Sequence, residues 1–164
     1  MLARQFMTEF KPQQLDDILL AIVSNRARPV SDVPRALHQA AELTSRRGMV
    51  VILSDLFDDV PSIARGLEHL RFKNHEVLIF HIMDRWERDL PLEGNIRFHD
   101  LETAEQLVTR AEGIQGAYRK AVGQWRSALD AECVGRAIDR IELTTDQPLD
   151  QALLDYLVTR SKSY

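Results

Sequence analysis

The stretch that decides the fold is "GMVVILSDLFDD", residues 48–59. Its first nine positions hold six apolar side chains, and three carboxylates follow within five residues. A short apolar run rich in β-branched residues is typical of a strand that is buried on both faces of a parallel sheet. We therefore predict a strand here, and the acidic residues after it are either a metal site or the cap of the next helix.

The residues after this stretch predict a strand–helix–strand unit. A helix with its apolar stripe at Ile63, Leu67 and Leu70 follows the first strand, and "HEVLIFHIMD", residues 75–84, repeats the buried-strand pattern. Two such strands joined by a crossover helix make a right-handed βαβ unit the default topology.

Helices are also predicted before the first strand. "PQQLDDILLAIVSN", residues 12–25, has an amphipathic stripe, and "RPVSDVPRALHQAAELTSRRG", residues 28–48, predicts a second helix that is entered through Ser31 or Asp32 and ends at Gly48. The stripe of the first helix consists of Leu15, Ile18, Leu19, Ile22 and Val23.

The second half of the chain adds a long helix and a third strand. A hairpin or irregular excursion is expected around Gly94-Asn95, with a helix over residues 103–110 as the alternative. "DRIELTTD", residues 139–146, predicts a strand, and "QPLDQALLDYLVTR", residues 147–160, a closing helix. The inward positions of the long helix are Ile114, Tyr118, Ala121, Val122, Trp125, Leu129 and Cys133, and those of the closing helix are Leu149, Leu153, Tyr156 and Leu157.

Composition restricts the class of protein. The 164 residues suffice for one domain, and 45% hydrophobic with 28% charged residues is a globular composition. The formal net charge of −4 repels phosphate backbones, so no nucleic-acid partner is expected. A single cysteine fits a reducing compartment, and no apolar run spans a bilayer, so we expect a cytoplasmic chain without a membrane segment.

The acidic end of the opening stretch is the main candidate for chemistry. In doubly wound α/β folds the functional crevice lies at the carboxyl ends of the strands, where Asp55, Asp58 and Asp59 fall. Carboxylates and hydroxyls are ligands that magnesium prefers, and Ser31 begins a helix that can reach the same crevice. Capping alone explains Ser31 and either Asp58 or Asp59, so Asp55 is the least easily explained by structure.

The other reactive side chains favour structural roles. His81 alternates with apolar residues in a strand, which favours a core residue over a metal ligand, and no pair of histidines has metal-binding spacing. Cys133 on an apolar helical face favours packing, and no nucleophile elbow or phosphate loop is present. Trp86 follows a strand end, where burial under the excursion is favoured over a role as a partner's anchor.

Several motifs in one order resemble a known family. They are "VSDVPRAL" (30–37), "RRGMVVILSDLFDD" (46–59), "LRFKNHEVLIFHIMDRWERDLPLEGNIRFHDLET" (70–103), "AYRKAV" (117–122) and "TTDQPLDQALLDYL" (144–157). This run resembles the bacterial family called domain of unknown function fifty-eight, which contains a von Willebrand factor A-like domain and is typically encoded beside MoxR-type AAA+ ATPases. The resemblance implies a cytoplasmic, non-enzymatic adaptor that acts with a MoxR-type ATPase.

The resemblance also implies a fold and a cation site. The fold is a three-layer, Rossmann-like α/β domain with a parallel sheet flanked by helices, with residues 1–27 as a helical lead-in and 28–164 as the family-like core. Domains similar to von Willebrand factor A bind a divalent cation through three loops, and Ser31 and Asp55 match two of them. The first motif, aspartate-serine-serine, has no match here, so we expect no cofactor or only weakly bound magnesium at a vestigial site.

The missing first motif also predicts self-association. We expect the family's N-terminal strands to be absent, which would leave residues 49–54 as an apolar sheet edge that tends to pair with another chain. The predicted product is a homodimer, with exchange of the N-terminal helix as one form of it. Two alternatives remain: the chain is a fragment of a longer protein, or the first helix folds over the edge and leaves a monomer. The alternative function is a magnesium-dependent phosphotransfer or hydrolytic enzyme that uses Asp55, Asp58 and Asp59.

Overall fold

The computed structural model describes residues 12–24, 32–100 and 105–161 of the chain. The helices are α1 (Pro12–Ser24), α2 (Val33–Leu43), α3 (Val60–Phe72), α4 (Arg85–Asp89), α5 (Ala111–Gly135) and α6 (Leu149–Ser161). The strands are β1 (Met49–Ser54), β2 (Glu76–Met83), β3 (Asn95–His99), β4 (Gln106–Arg110) and β5 (Asp139–Thr144).

The centre of the fold is a three-stranded parallel sheet with the order β1-β2-β5. Val51 of β1 pairs with Leu78 of β2, and Ile79 of β2 pairs with Arg140 of β5. The helix α3 connects β1 to its parallel neighbour β2, and all three predicted strands are confirmed. In the described part of the chain β1 lies at the edge of the sheet, although its apolar composition is typical of a central strand.

Alternate side chains of the strands pack into two cores on opposite faces of the sheet. Helices on both faces therefore give three layers. One core joins α2, α3 and α5 to β1 and β2, and its fully buried members include Leu37, Ile63, Leu67, Ile79 and Leu129. The smaller core on the other face consists of Leu78, Phe80 and Leu143, with Ile141 and Tyr156 of α6 packed against it.

The helix α2 begins at a cap and is held tightly against α3. The Asp32 carboxylate accepts a hydrogen bond from the Arg35 amide at 2.9 Å, so Asp32 is the N-cap. The other candidate cap, Ser31, lies outside the described residues. A Cβ at Gly66 of α3 would lie 2.7 Å from the Cβ of Leu37, so only glycine permits this close approach of the two helices.

The excursion after β2 contains a short helix and an antiparallel strand pair. The strands β3 and β4 pair from Asn95 opposite Arg110 to His99 opposite Gln106, so a strand pair exists in the excursion but does not turn at Gly94-Asn95 as predicted. The alternative helix over residues 103–110 is wrong in its described part, because residues 106–110 form β4. Gly94, at φ +74°, precedes β3 rather than forming the turn of the hairpin.

The terminal helices exist as predicted, but most of their apolar stripes are not buried. In α1, Val23 is 82% exposed and Leu19 is 51% exposed. In α6, Leu149 and Leu157 are 60% and 58% exposed, so their predicted inward position is wrong, whereas Tyr156 packs against the core. Periodicity identifies the side of a helix that suits a neighbour, but it does not establish that a neighbour covers that side.

Within the described ranges, no helix combines the length and the apolar character that crossing a membrane requires.

Candidate functional site

The carboxyl ends of the three parallel strands lie at one edge of the sheet, and β1 leads there into an anchored loop. The Leu56 side chain is fully buried in the core although its φ is +51°, a conformation that is costly for leucine. The Ser54 hydroxyl accepts a hydrogen bond from the Leu56 amide at 3.0 Å. Burial of Leu56 therefore fixes the loop and leaves its neighbours Asp55 and Phe57 exposed.

The acidic residues of this loop mainly organise the backbone. One Asp59 oxygen accepts hydrogen bonds from the Ser62 amide at 3.0 Å and the Ser62 hydroxyl at 2.6 Å, which makes Asp59 the N-cap of α3. These bonds lower the pKa of Asp59. The Asp58 carboxylate accepts from the Asp59 amide at 2.7 Å. The predicted cap is thus confirmed at Asp59.

The Asp55 carboxylate is the least constrained of the three. Its Oδ1 accepts hydrogen bonds only at the long distance of 3.4 Å, from the Ser54 hydroxyl and the Phe57 amide. No group of three or more His, Cys, Asp or Glu side chains within residues 12–24, 32–100 and 105–161 is placed to hold a metal ion. Because Ser31 is outside those ranges, the predicted pair of Ser31 and Asp55 stays a prediction.

A buried histidine of β2 is hydrogen-bonded to the backbone of this loop. His81 of β2 is fully buried, and its Nε2–H donates to the Asp55 carbonyl oxygen at 2.9 Å. Its Nδ1 accepts from the Arg140 guanidinium, which can only donate, so the tautomer is fixed. Burial lowers the pKa of His81, and the Arg140 charge lowers it further against the opposing hydrogen bond to Asp55. His81 is therefore a neutral core residue, as predicted, and not a metal ligand.

The Arg140 side chain, 6% exposed, belongs to an ionic network under α5 that opens to solvent at Asp130, which is 55% exposed. Asp130 lies 2.7 Å from Arg140, and Glu142 accepts from Arg126 at 2.9 Å while lying 3.5 Å from Arg140. Two carboxylates thus compensate the buried guanidinium, as buried charges require. Sequence analysis missed this network, although alternation of Arg140 and Glu142 with apolar residues in β5 places both on one face of the sheet.

Aromatic side chains flank the loop on its exposed side. The Trp125 indole N–H donates to the Asp58 carbonyl oxygen at 3.2 Å, and its ring lies 5.3 Å from that of His81. The Phe57 ring lies 6.2 Å from the Trp125 ring and is 83% exposed. Trp86 is 57% exposed, so its predicted burial under the excursion is wrong.

The end of β2 is also organised by a carboxylate. Asp84 caps α4 through the Trp86 amide at 2.8 Å and accepts from the Thr145 hydroxyl after β5. The bonds to Thr145 and then to Trp86 lower the pKa of Asp84. Asp84 therefore ties two strand ends together, whereas the Asp55 carboxylate accepts from Ser54 and Phe57 of its own loop.

Fold and site together define an α/β domain with a parallel sheet, an exposed apolar edge strand and an anchored acidic loop at its carboxyl edge. A family model described as "Protein of unknown function DUF58" matches residues 8–128. The chain belongs to this family, which confirms the resemblance. No curated protein and no solved structure matches the chain.

Proposed function

We propose that this protein is a non-enzymatic interaction module of the von Willebrand factor A-like type, which acts in the cytoplasm with a MoxR-type AAA+ ATPase and pairs with a second copy of itself. The chain belongs to the family of unknown function, and the type of module and the class of ATPase are carried over from what the resemblance to that family implies. The exposed rings of Phe57 and Trp86 support a role in binding, because aromatic side chains supply much of the energy at protein interfaces.

The observation that carries the proposal is the open edge of β1. The Glu76 amide donates to the Gly48 carbonyl at 2.9 Å. Because a parallel ladder uses alternate residues, the amides and carbonyls of Met49, Val51 and Leu53 point away from β2. These side chains are 49%, 45% and 67% exposed. An apolar edge without charge or proline is a template for another strand.

Charge complementarity favours a second copy of the chain as the occupant. In an antiparallel pair about a two-fold axis at Val51, Met49 of each copy lies opposite Leu53 of the other. The same register places Arg47 opposite Asp55, and both residues are exposed in the monomer. The symmetric dimer therefore gains two opposite-charge pairs that flank an apolar strand pair.

Any bound magnesium plays a secondary part in this proposal. Asp55 offers one exposed carboxylate, and a hard cation with so few protein ligands keeps most of its waters and is held weakly. The proposed binding function therefore does not depend on the cation.

The test is the solution mass by light scattering over a dilution series of the wild type, Val51→Lys and Val108→Lys. Because Val51 pairs with itself in the proposed dimer, lysine there places two like charges directly opposite one another. Val108 of β4 is 64% exposed and is the matched control. We expect wild type and Val108→Lys at twice the chain mass of 18.8 kDa and Val51→Lys at the monomer mass.

A wild type that is monomeric at every concentration would contradict the pairing. A Val51→Lys variant that dimerises as the wild type does would also contradict it. For the ATPase, the expected result is co-elution of a purified MoxR-type ATPase with the wild type, and loss of co-elution in the combined variant Phe57→Ser, Trp86→Ser. Co-elution that these substitutions leave unchanged would contradict a role of the carboxyl edge in binding the ATPase.

A further inference from the structure

Two histidines from different helices face one another at the α2–α3 contact. The Nδ1 atoms of His38 on α2 and His69 on α3 are 3.1 Å apart, and the ring centroids are 5.3 Å apart. The two residues are 31 positions apart in sequence, so no local spacing reveals the pair. Both side chains are half-buried and open to solvent on one side.

The packing of the two helices fixes this separation. The backbone of Gly66 in α3 approaches Leu37 so closely that an added Cβ would lie 2.7 Å from the Leu37 Cβ and 3.3 Å from the Pro34 carbonyl oxygen. His38 and His69 each lie within one helical turn of this contact. This close approach therefore holds together the two helix segments that carry the rings.

The Glu42 carboxylate orients the His69 ring through the ring nitrogen that faces away from His38. The His69 Nε2 lies 3.1 Å from a Glu42 oxygen, and the other Glu42 oxygen lies 3.6 Å from the Lys73 ammonium. Donation of Nε2–H to Glu42 leaves the lone pair of His69 Nδ1 directed at His38. Histidines that bind metals commonly donate their other ring N–H to a carboxylate in this way, which fixes the tautomer and increases the basicity of the ligand.

We infer that His38 and His69 form a two-nitrogen site for a divalent transition-metal ion of the zinc type, with both Nδ1 atoms as ligands. Tetrahedral zinc with Zn–N bonds of about 2.05 Å separates two ligand nitrogens by about 3.3 Å, so the pair opens by only a few tenths of an ångström. Imidazole nitrogen selects zinc, copper or nickel over magnesium. This site is therefore chemically distinct from the oxygen ligand Asp55.

Metal binding changes the protonation of one ring. Since His69 Nδ1 carries a lone pair, the neutral pair is joined by donation from His38 Nδ1–H. When the metal binds, the proton of His38 leaves Nδ1 and a proton is taken up at Nε2 through solvent, so the neutral pair releases no net proton.

The remaining coordination positions open toward solvent. A surface hollow of about 700 Å³ adjoins the pair and is lined by Arg35, His38, Gln39, Glu42 and Leu43. With two protein ligands, the other positions on a tetrahedral ion belong to water or to a donor from a binding partner. The His38–His69 site lies between α2 and the last turn of α3. Because α3 leads the chain back to the start of β2, the site is away from the carboxyl edge of the sheet.

The test is calorimetric titration of ZnCl₂ into the tag-free full chain and its variants. We expect one binding event in the wild type that weakens at least tenfold in both His38→Ala and His69→Ala. The exposed His99 of β3 is the matched control, so His99→Ala should bind as the wild type does. Glu42→Gln, a change to a positioning residue, should weaken binding by roughly tenfold, because supporting carboxylates typically contribute 10–100-fold.

A second measurement does not depend on any variant folding. Long-range ¹H–¹⁵N correlation spectra of the wild type report each ring nitrogen, and zinc should shift Nδ1 of His38 and His69 while leaving the resonances of His99 unchanged. Absence of a binding event, or binding unchanged in His38→Ala and His69→Ala, would overturn the inference. Shifts at Nε2 instead of Nδ1 would also overturn it, because the ligand atoms would be wrong.

Discussion

The strands β1 and β2 have nearly the same apolar character but different surroundings. On one face of the sheet β1 is exposed, with Val51 at 45% and Leu53 at 67%, whereas their pairing partners in β2, Leu78 and Phe80, are 5% and 7% exposed. On this face α6 packs against β2, and β5 lies beside β2, whereas the described part of the chain places neither a second strand beside β1 nor a helix over this face of it. Burial of a strand is thus decided by what lies beside it, and the composition of β1 is that of a strand with partners on both sides.

The largest expected effect is a difference between β1 and β2 in how much a valine-to-alanine substitution lowers the free energy of unfolding. Val77→Ala in β2 should lower the free energy of unfolding by about 2 kcal/mol, because it opens a cavity in a closed core. Val51→Ala makes the same chemical change on an exposed face of β1 and should cost less than about 0.5 kcal/mol. Urea denaturation of both variants measures the difference. Equal losses would show that the face of β1 is covered in solution.

The second prediction concerns His81, which connects β2 to the loop after β1. His81→Phe keeps a ring in place but leaves the Arg140 donor and the Asp55 carbonyl without this partner, which should cost about 1–2 kcal/mol at pH 8.

The cost should depend on pH. Burial lowers the pKa of His81 in the folded state, so below its ordinary range the unfolded chain binds more protons. The stability due to neutral His81 is therefore fully present above a pH of about 6.5 and is lost as the pH falls toward the lower folded pKa. The difference between wild type and variant should shrink below about pH 6.5. The charged groups around His81 are Arg140, Glu142 and Arg126. If the difference in stability between wild type and His81→Phe did not change with pH, His81 would not be the neutral side chain between Arg140 and the Asp55 carbonyl.

The third prediction tests the register of the β1 pair. Arg47→Asp or Asp55→Arg turns two expected opposite-charge pairs into repulsive ones and should weaken the dimer by roughly tenfold, or about 1–2 kcal/mol. The combined exchange Arg47→Asp, Asp55→Arg should restore the dimer. The measurement is the dissociation constant by sedimentation at low salt, and an exchange that fails to restore pairing would contradict the register.

The smallest effect is expected at the carboxylates that end β1 and β2. Asp55→Asn should alter the stability only modestly and leave the response to magnesium unchanged, since the Asp55 carboxylate accepts only long hydrogen bonds and any bound cation is held weakly. Asp84→Asn should destabilise the fold measurably, because Asp84 joins the ends of β2 and β5. Magnesium titration by calorimetry provides the check. Tight binding in the wild type that Asp55→Asn abolishes would contradict a vestigial site.

The sequence predicted the parts of the fold that depend on local pattern. The strands β1, β2 and β5, the helix stripe at Ile63, Leu67 and Leu70, and the cap at Asp59 all follow from periodicity and turn chemistry. The exposure of Leu149 and Leu157 did not follow, because amphipathicity describes one side of a contact only.

The sequence could not predict the sites that tertiary contacts create. The proximity of His38 and His69 results from the Gly66–Leu37 contact, and the Arg140 network depends on the packing of α5 against β5. In both cases distant segments supply the interacting groups, and neither segment carries a local signal of its partner.

The most direct test of the central claim is amide hydrogen exchange at two adjacent residues of β1. The Ile52 amide points toward β2, whereas the Val51 amide points to the open edge. We predict that protection of Val51 rises with protein concentration in step with the dimer mass while protection of Ile52 stays constant. Rapid exchange of Val51 at every concentration, or protection that persists when the mass is that of the monomer, would contradict pairing of two chains through β1.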